Sequence, residues 1–133
     1  EKVPILGICL GAQLMTKASE EGLQEGFGWV EGRTVKFNID QASSYKVPNM
    51  GWADVVQQKD SSLFLNMPPL PRFYFVHSYH FSFTNPRQIL STSEYSYNFA
   101  SAFEHGNILG VQFHPEKSHK FRMQLFRNFS KYY

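Results

Sequence analysis

The chain opens on an apolar stretch, Val3 to Ile8, with the length and character of a short buried strand in a parallel sheet. From Ala12 to Ala18 the spacing becomes helical, with Leu14, Met15 and Ala18 on one side and Gly22 as the stop. Gly26 to Gly32 is a glycine-rich loop, and Arg33 to Ile39 alternates Val35, Phe37 and Ile39 on the buried face of a strand. Pro48 to Trp52 reads as a turn-rich loop leading into a short strand near Ala53 to Gln57, followed by one helical turn over Ser61 to Asn66. Pro68, Pro69 and Pro71 enforce extended backbone. Phe73 to Phe81 is expected to be one strong strand, with Phe73, Phe75, His77, Tyr79 and Phe81 on one side and Tyr74, Val76, Ser78 and His80 on the other.

Two further strands are expected over Ile89 to Ser93 and Phe99 to Glu104. His105-Gly106-Asn107 forms a hairpin turn into a strand over Ile108 to Phe113. Pro115 breaks regularity, and an amphipathic helix from about His119 to Lys131 turns Phe121, Leu125, Phe126 and Phe129 inward. Strands and helices in this order predict an α/β domain. There are no internal repeats or low-complexity linkers, so residues 1–133 read as one domain.

Composition narrows the class. The 133 residues suffice for one modest core, and 42% hydrophobic with 17% aromatic content fits a packed chain rather than a disordered one. A net charge of +2 is too small to imply a nucleic-acid partner. The single cysteine excludes an intramolecular disulfide, and the five histidines have no metal-finger spacing with it. A reducing, cytoplasmic setting with no metal or cofactor is expected. No apolar run approaches membrane-span length and no signal peptide is visible. The chain begins Glu1-Lys2-Val3-Pro4 and enters almost directly into a buried-looking strand, which reads as a fragment lacking its N-terminal part.

The single cysteine lies in Gly7-Ile8-Cys9-Leu10-Gly11, between the first strand and the first helix. That is the pattern of a nucleophile on a tight turn, with glycines on either side to let the backbone turn sharply. A thiol facing a helix N-terminus is expected to have a lowered pKa. Taken alone, Cys9 reads equally as a small apolar residue. Further along stands Gln112-Phe113-His114-Pro115-Glu116. In extended backbone, residues two apart project to the same side, so His114 and Glu116 converge there. The imidazole is a candidate base and the carboxylate its orienter. Taken alone, the pair reads as a loop histidine with a solvated glutamate.

Together, Gly7-Ile8-Cys9-Leu10-Gly11-Ala12-Gln13 and Gly110-Val111-Gln112-Phe113-His114-Pro115-Glu116 resemble the class I glutamine amidotransferases. The resemblance runs through nearly the whole chain. Ser19-Glu20-Glu21-Gly22, Val47 to Trp52, Tyr74 to Tyr79 and His114 to Ser118 narrow it to glutaminase subunits of the imidazole glycerol phosphate synthase type, or their surface-polysaccharide paralogues.

That resemblance implies a Rossmann-like three-layer domain, here its C-terminal two thirds, with a Cys9-His114-Glu116 triad acting on glutamine. It implies an oxyanion donor in the Leu10 N–H and substrate contacts from Gln13, Glu21, His77, Ser78 and Tyr79. It also implies a heterodimer with an ammonia-accepting synthase: a barrel-shaped cyclase in histidine biosynthesis, or a nucleotide-sugar aminating enzyme in the other branch. A non-catalytic regulatory subunit on the same fold is the rival from another class. Met50, Trp52 and Lys117 are the expected partner surface. Gln13 also reads as a solvated helix residue, Glu21 as a surface charge, and His77, Tyr79 and Trp52 as core. Asn49 departs from the resemblance, which has histidine there, in a loop expected near the partner. The family's leading third supplies a second oxyanion donor, so the 133 residues alone are expected to be unstable and inactive.

Overall fold

The computed structural model describes Lys2–Tyr133. Its first strand, β1 (Ile5–Ile8), is followed at once by a short helix, α1 (Leu10–Leu14). β2 (Arg33–Lys36), β3 (Asn49–Asp54) and β4 (Val56–Gln57) come next, then β5 (Arg72–His77), β6 (Tyr79–Ser82) and β7 (Ile89–Tyr95). β8 (Tyr97–His105), β9 (Ile108–Val111) and helix α2 (His119–Tyr132) complete the chain.

The main sheet is mixed. β1 pairs parallel with β9, from Ile5 opposite Ile108 to Ile8 opposite Val111. β8 is its long central strand: β7 runs along one edge, and β9 and β6 share the other. β3 and β5 form a separate antiparallel ribbon, which a bridge between Tyr74 and His114 ties to the segment after β9. Phe73, Phe75, Phe99, Phe113 and Leu125 are packed into one buried cluster under α2. Ala12, Met15, Phe81 and Phe103 form a second cluster beneath α1. Burying each of the aromatic side chains contributes roughly 1.5–3 kcal/mol, so the sheet is a rigid platform for the loops at its ends.

α1 is shorter and earlier than the helix expected over Ala12 to Ala18. Hydrogen bonds from the following strap are the reason. Phe27 N–H donates to Leu14 O, Trp29 N–H to Met15 O, Gly28 N–H to Thr16 O and Gly26 N–H to Lys17 O. Carbonyls needed to continue the helix are therefore occupied, Leu14 is exposed, and Gly22 caps nothing. The strand expected over Arg33 to Ile39 ends at Lys36.

The expected strand from Phe73 to Phe81 is two strands. β5 pairs with β3 and β6 with β2, in different sheets, with Ser78 at the break. The alternation slips there, so His80 and Phe81 are both buried and Tyr79 is only half-buried. The segment read as a loop over Pro48 to Trp52 lies mostly in β3, where Gly51 adopts a φ of 139° that favours glycine. The strand expected to run to Phe113 ends at Val111, and Pro115–Lys117 is a 3-10 turn rather than extended chain.

Candidate functional site

β1 and β9 are parallel neighbours, so the segments leaving their C-terminal ends, Cys9 and Gln112 to His114, emerge at one edge. Cys9 has φ 51° and ψ −110°, a left-handed conformation that costs a non-glycine residue roughly 1–3 kcal/mol. The surroundings hold it there: Cys9 N–H donates to Val111 O at 2.8 Å, and Gln13 N–H donates to Cys9 O at 3.1 Å. Gly7 lets α1 fold back onto β1, since a Cβ there would lie 2.8 Å from Ala12 Cα and from Met15 Cε. Gly11 has no such reason, for a Cβ there would meet nothing within 4 Å.

The expected lowering of the thiol pKa is overturned. Burial pushes the Cys9 thiol up, and the Glu116 carboxylate adds to the rise. The Leu10 N–H, the Gln112 side chain and Lys117 pull the other way without cancelling it. α1 has only five residues, too few to outweigh desolvation through its dipole.

His114 and Glu116 do meet, but through the 3-10 turn rather than by strand alternation. His114 Nδ1 lies 2.6 Å from Glu116 Oε1. The other ring nitrogen, Nε2, is buried and has no hydrogen-bond partner among the described residues. The backbone of this segment is clamped to β5. His114 N–H donates to Tyr74 O at 2.9 Å, and Ser118 Oγ accepts from Tyr74 N–H at 3.1 Å while donating to His114 O at 2.9 Å. The result is an oriented imidazole with one unused nitrogen, which suits proton transfer.

A cleft of about 230 Å³ is lined by Leu10, the residue after Cys9, and by Gln13, Leu14, Glu21 and Glu25 among others, but not by Cys9, His114, Ser78 or Tyr79. Its carboxylates suit a cationic group on a small ligand. A larger depression of about 660 Å³, between Ser61, Glu104 and Tyr133, is lined by none of the candidate residues. Gln13 is buried rather than solvated; its Nε2 donates to Gln112 Oε1 at 3.1 Å and to Tyr79 O at 3.3 Å. Gln112, wholly buried, donates from Nε2 to Cys9 Sγ at 3.6 Å. The sequence offered no role for Gln112 beyond its place in the motif, because amide orientation has no sequence signature.

His77 does not reach the cleft with its side chain. Its Nδ1 contacts Tyr79 O at 2.7 Å and its Nε2 contacts Asn49 Nδ2 at 3.0 Å, so both ring nitrogens are used internally. Asn49 is correspondingly buried, not part of a surface loop. The ring packs against Phe37, Phe75 and Phe99, and burial lowers the His77 pKa to about 4. Ser78 contributes its carbonyl to Phe37 N–H, and Tyr79 its carbonyl to Gln13.

A stability profile follows from His77. Histidine in the unfolded chain titrates near 6.5, so the folded chain binds fewer protons as pH falls towards 4. The stability from neutral His77 is fully present above pH 6.5 and is lost on acidification to pH 4, by about 3 kcal/mol. His80, also lowered by burial, adds in the same direction. Urea midpoints should fall across this window, and a His77→Gln variant should show a clearly shallower decline.

Met50 and Trp52 project from the exposed face of β3, 62% and 48% accessible, so Trp52 is not core. Trp52 packs edge-on against Tyr74 at 5.7 Å, and Lys117 Nζ sits 5.5 Å from the same ring. The three expected partner residues thus form one patch, adjoining the His114 turn.

Residues 1–131 match the family model described as glutamine amidotransferase class-I. The chain is 44% identical over 131 residues to imidazole glycerol phosphate synthase subunit HisH of Leptospira interrogans, covering 98% of this chain and 64% of that protein. It is 49% identical to subunit HisH 2 of Methanococcus maripaludis with the same coverages. It therefore spans slightly less than two thirds of the length of these curated relatives. Among solved structures it shares the fold of a glutamine amidotransferase from Thermotoga maritima, with TM-score 0.63, 23% identity, and 94% of this chain and 47% of that one covered. The acivicin-bound glutaminase domain of Trypanosoma brucei CTPS has the same fold at TM-score 0.65 and 21% identity, with 98% and 61% covered. Among the described residues, no helix is long and apolar enough to cross a membrane.

Proposed function

This chain belongs to the class-I glutamine amidotransferase family, and from that premise we propose that it carries the glutaminase centre of an imidazole glycerol phosphate synthase. What supports this reading is that a strained Cys9 leaves β1 while the His114-Glu116 pair follows β9, the parallel neighbour of β1, with Nε2 free of a hydrogen-bond partner among the described residues. Cys9 Sγ attacks the side-chain amide carbon of glutamine while His114 Nε2 takes the thiol proton. The same proton leaves with ammonia, a glutamyl thioester remains on Sγ, and water then cleaves it to glutamate. Glu116 orients the ring, and the Leu10 N–H stabilises the oxyanion. Glu21 receives the substrate's ammonium group. Ser78 and Tyr79 bound the substrate's amino-acid portion, and His77 acts on it through the Tyr79 carbonyl.

The ammonia passes to a cyclase subunit in a cytoplasmic heterodimer serving histidine biosynthesis. The subunit names of the relatives favour this branch over sugar amination. The patch of Met50, Trp52, Tyr74 and Lys117 suits the docking of that partner, with an aromatic anchor and a cation. Truncating such an anchor costs about 2 kcal/mol or more in binding. Trp52→Ala should therefore weaken the complex about thirtyfold by calorimetry without lowering the melting temperature. The test of the whole reading is glutamate release by the intact protein with its cyclase subunit, expected at a rate that rises on complex formation. Absence of glutamine hydrolysis in a verified complex would refute it.

A further inference from the structure

We propose that Gln112 is a positioning residue for the nucleophile, presenting an N–H to Cys9 Sγ with a polarity fixed from the Tyr79 carbonyl through Gln13. The inference rests on Cys9 being the nucleophile. A side-chain amide can be turned over to exchange its oxygen and nitrogen, so its direction has to come from its partners. Here a backbone carbonyl decides it. Tyr79 O can only accept, and it lies 3.3 Å from the Gln13 amide, which must therefore turn its NH₂ group that way. The same Nε2 lies 3.1 Å from Gln112, which must then offer its oxygen. That leaves Gln112 Nε2 facing the sulfur at 3.6 Å.

Reversing Gln13 would set its oxygen against the Tyr79 and Gln112 oxygens, and reversing Gln112 would set its NH₂ against that of Gln13; either leaves like groups facing each other in a buried site, where a lost hydrogen bond costs the full desolvation of each group. Tyr79 O is itself held by His77 Nδ1 at 2.7 Å, so the end of the chain of contacts does not drift.

The consequence is a constant donor at the sulfur. An N–H favours the thiolate and turns the sulfur lone pairs towards itself, opposing the effect of burial. The other groups acting on the thiol are the Leu10 N–H and Lys117, which also favour the thiolate, and Glu116, which opposes it. None of them is part of the amide chain. The same arrangement spends both hydrogens of Gln13 inside the protein, so Gln13 offers a substrate in the cleft only its Oε1 acceptor.

The test is the pH dependence of Cys9 alkylation by iodoacetamide in the intact protein, compared with a Gln112→Met variant that keeps the bulk and removes the donor. At pH 8 alkylation should be about tenfold slower, with the inflection displaced to higher pH, the size expected from loss of one hydrogen bond to a charged acceptor. Coincident profiles in a folded variant would overturn the proposal. Should Gln112→Met fail to fold, Gln13→Leu leaves Gln112 in place and removes its polarising contact. It should shift the profile in the same direction, and an unchanged profile there overturns the proposal equally. Alkylation does not involve glutamine, so a wild-type protein without glutaminase activity would refute the functional reading while leaving this readout intact.

Discussion

Replacing Cys9 with alanine should lower glutamine hydrolysis by the intact complex at least about ten-thousandfold. The size of the effect reflects the absence of a substitute: Cys9 is the only cysteine in the chain, and no other nucleophile occupies the end of β1. Water would have to attack the amide directly, retaining only the help of binding and the Leu10 N–H. Stability should change little by comparison. Removing the sulfur relieves a half-buried polar group but leaves the buried Gln112 N–H without its acceptor, while the left-handed backbone at residue 9 remains strained. Steady-state glutamate release and a melting curve on the same sample separate the two effects. Ammonia supplied directly should still support the partner's reaction, since that step does not pass through the thiol.

The second large effect is expected at His114. His114→Ala removes the group proposed to take the thiol proton and return it to ammonia, and should reduce kcat by about a thousandfold with little change in KM. Because Cys9 is held up by burial, little thiolate is present at neutral pH and the base cannot be dispensed with. Glu116→Gln should be milder, about a hundredfold in kcat. Its side chain still reaches Nδ1, but the amide no longer selects a single ring tautomer. A rank order with Glu116→Gln worse than His114→Ala would contradict the assignment of roles. Both measurements are read as kcat in the complex with its synthase partner.

Local pattern carried the reading of some elements and failed at others for identifiable reasons. α2 begins at His119 as its spacing predicts, because Pro115 and the apolar stripe act within a few residues. The β8–β9 hairpin follows from the turn at Gly106 and Asn107, whose chemistry is also local. The α1 boundary was illegible because partners nine or more residues away occupy the carbonyls beyond Leu14. Alternation alone could not show that Phe73 to Phe81 crosses between sheets, since the residue types alternate without a break through Ser78, whereas β5 keeps a buried period of two and β6 buries the adjacent His80 and Phe81. Pro48 and Gly51 signalled a turn, yet Pro48 lies just before β3 and Gly51 within it, opposite Phe75 in a two-stranded ribbon.

The site divides along the same line. The proposed triad of Cys9, His114 and Glu116 could be singled out because strand, turn and residue type coincide in short motifs. The thiol's raised pKa was not, because desolvation depends on what the whole fold packs around it. His77 looked like a substrate contact from its motif, and only its two internal partners reveal a buried, neutral ring that holds Tyr79. Gln112 went unnoticed because nothing in a sequence says which way an amide faces.

The central claim is that Cys9 is the nucleophile of a glutamine-selective site. It is tested most directly by treating the intact protein with a glutamine analogue whose side-chain amide is replaced by an electrophile, then locating the adduct by peptide mass spectrometry. The account predicts one stoichiometric adduct on the peptide containing Cys9, suppressed by excess glutamine but not by glutamate's decarboxylated analogue, which lacks the α-carboxylate. Labelling at another residue, or at Cys9 with no protection by glutamine, would contradict it.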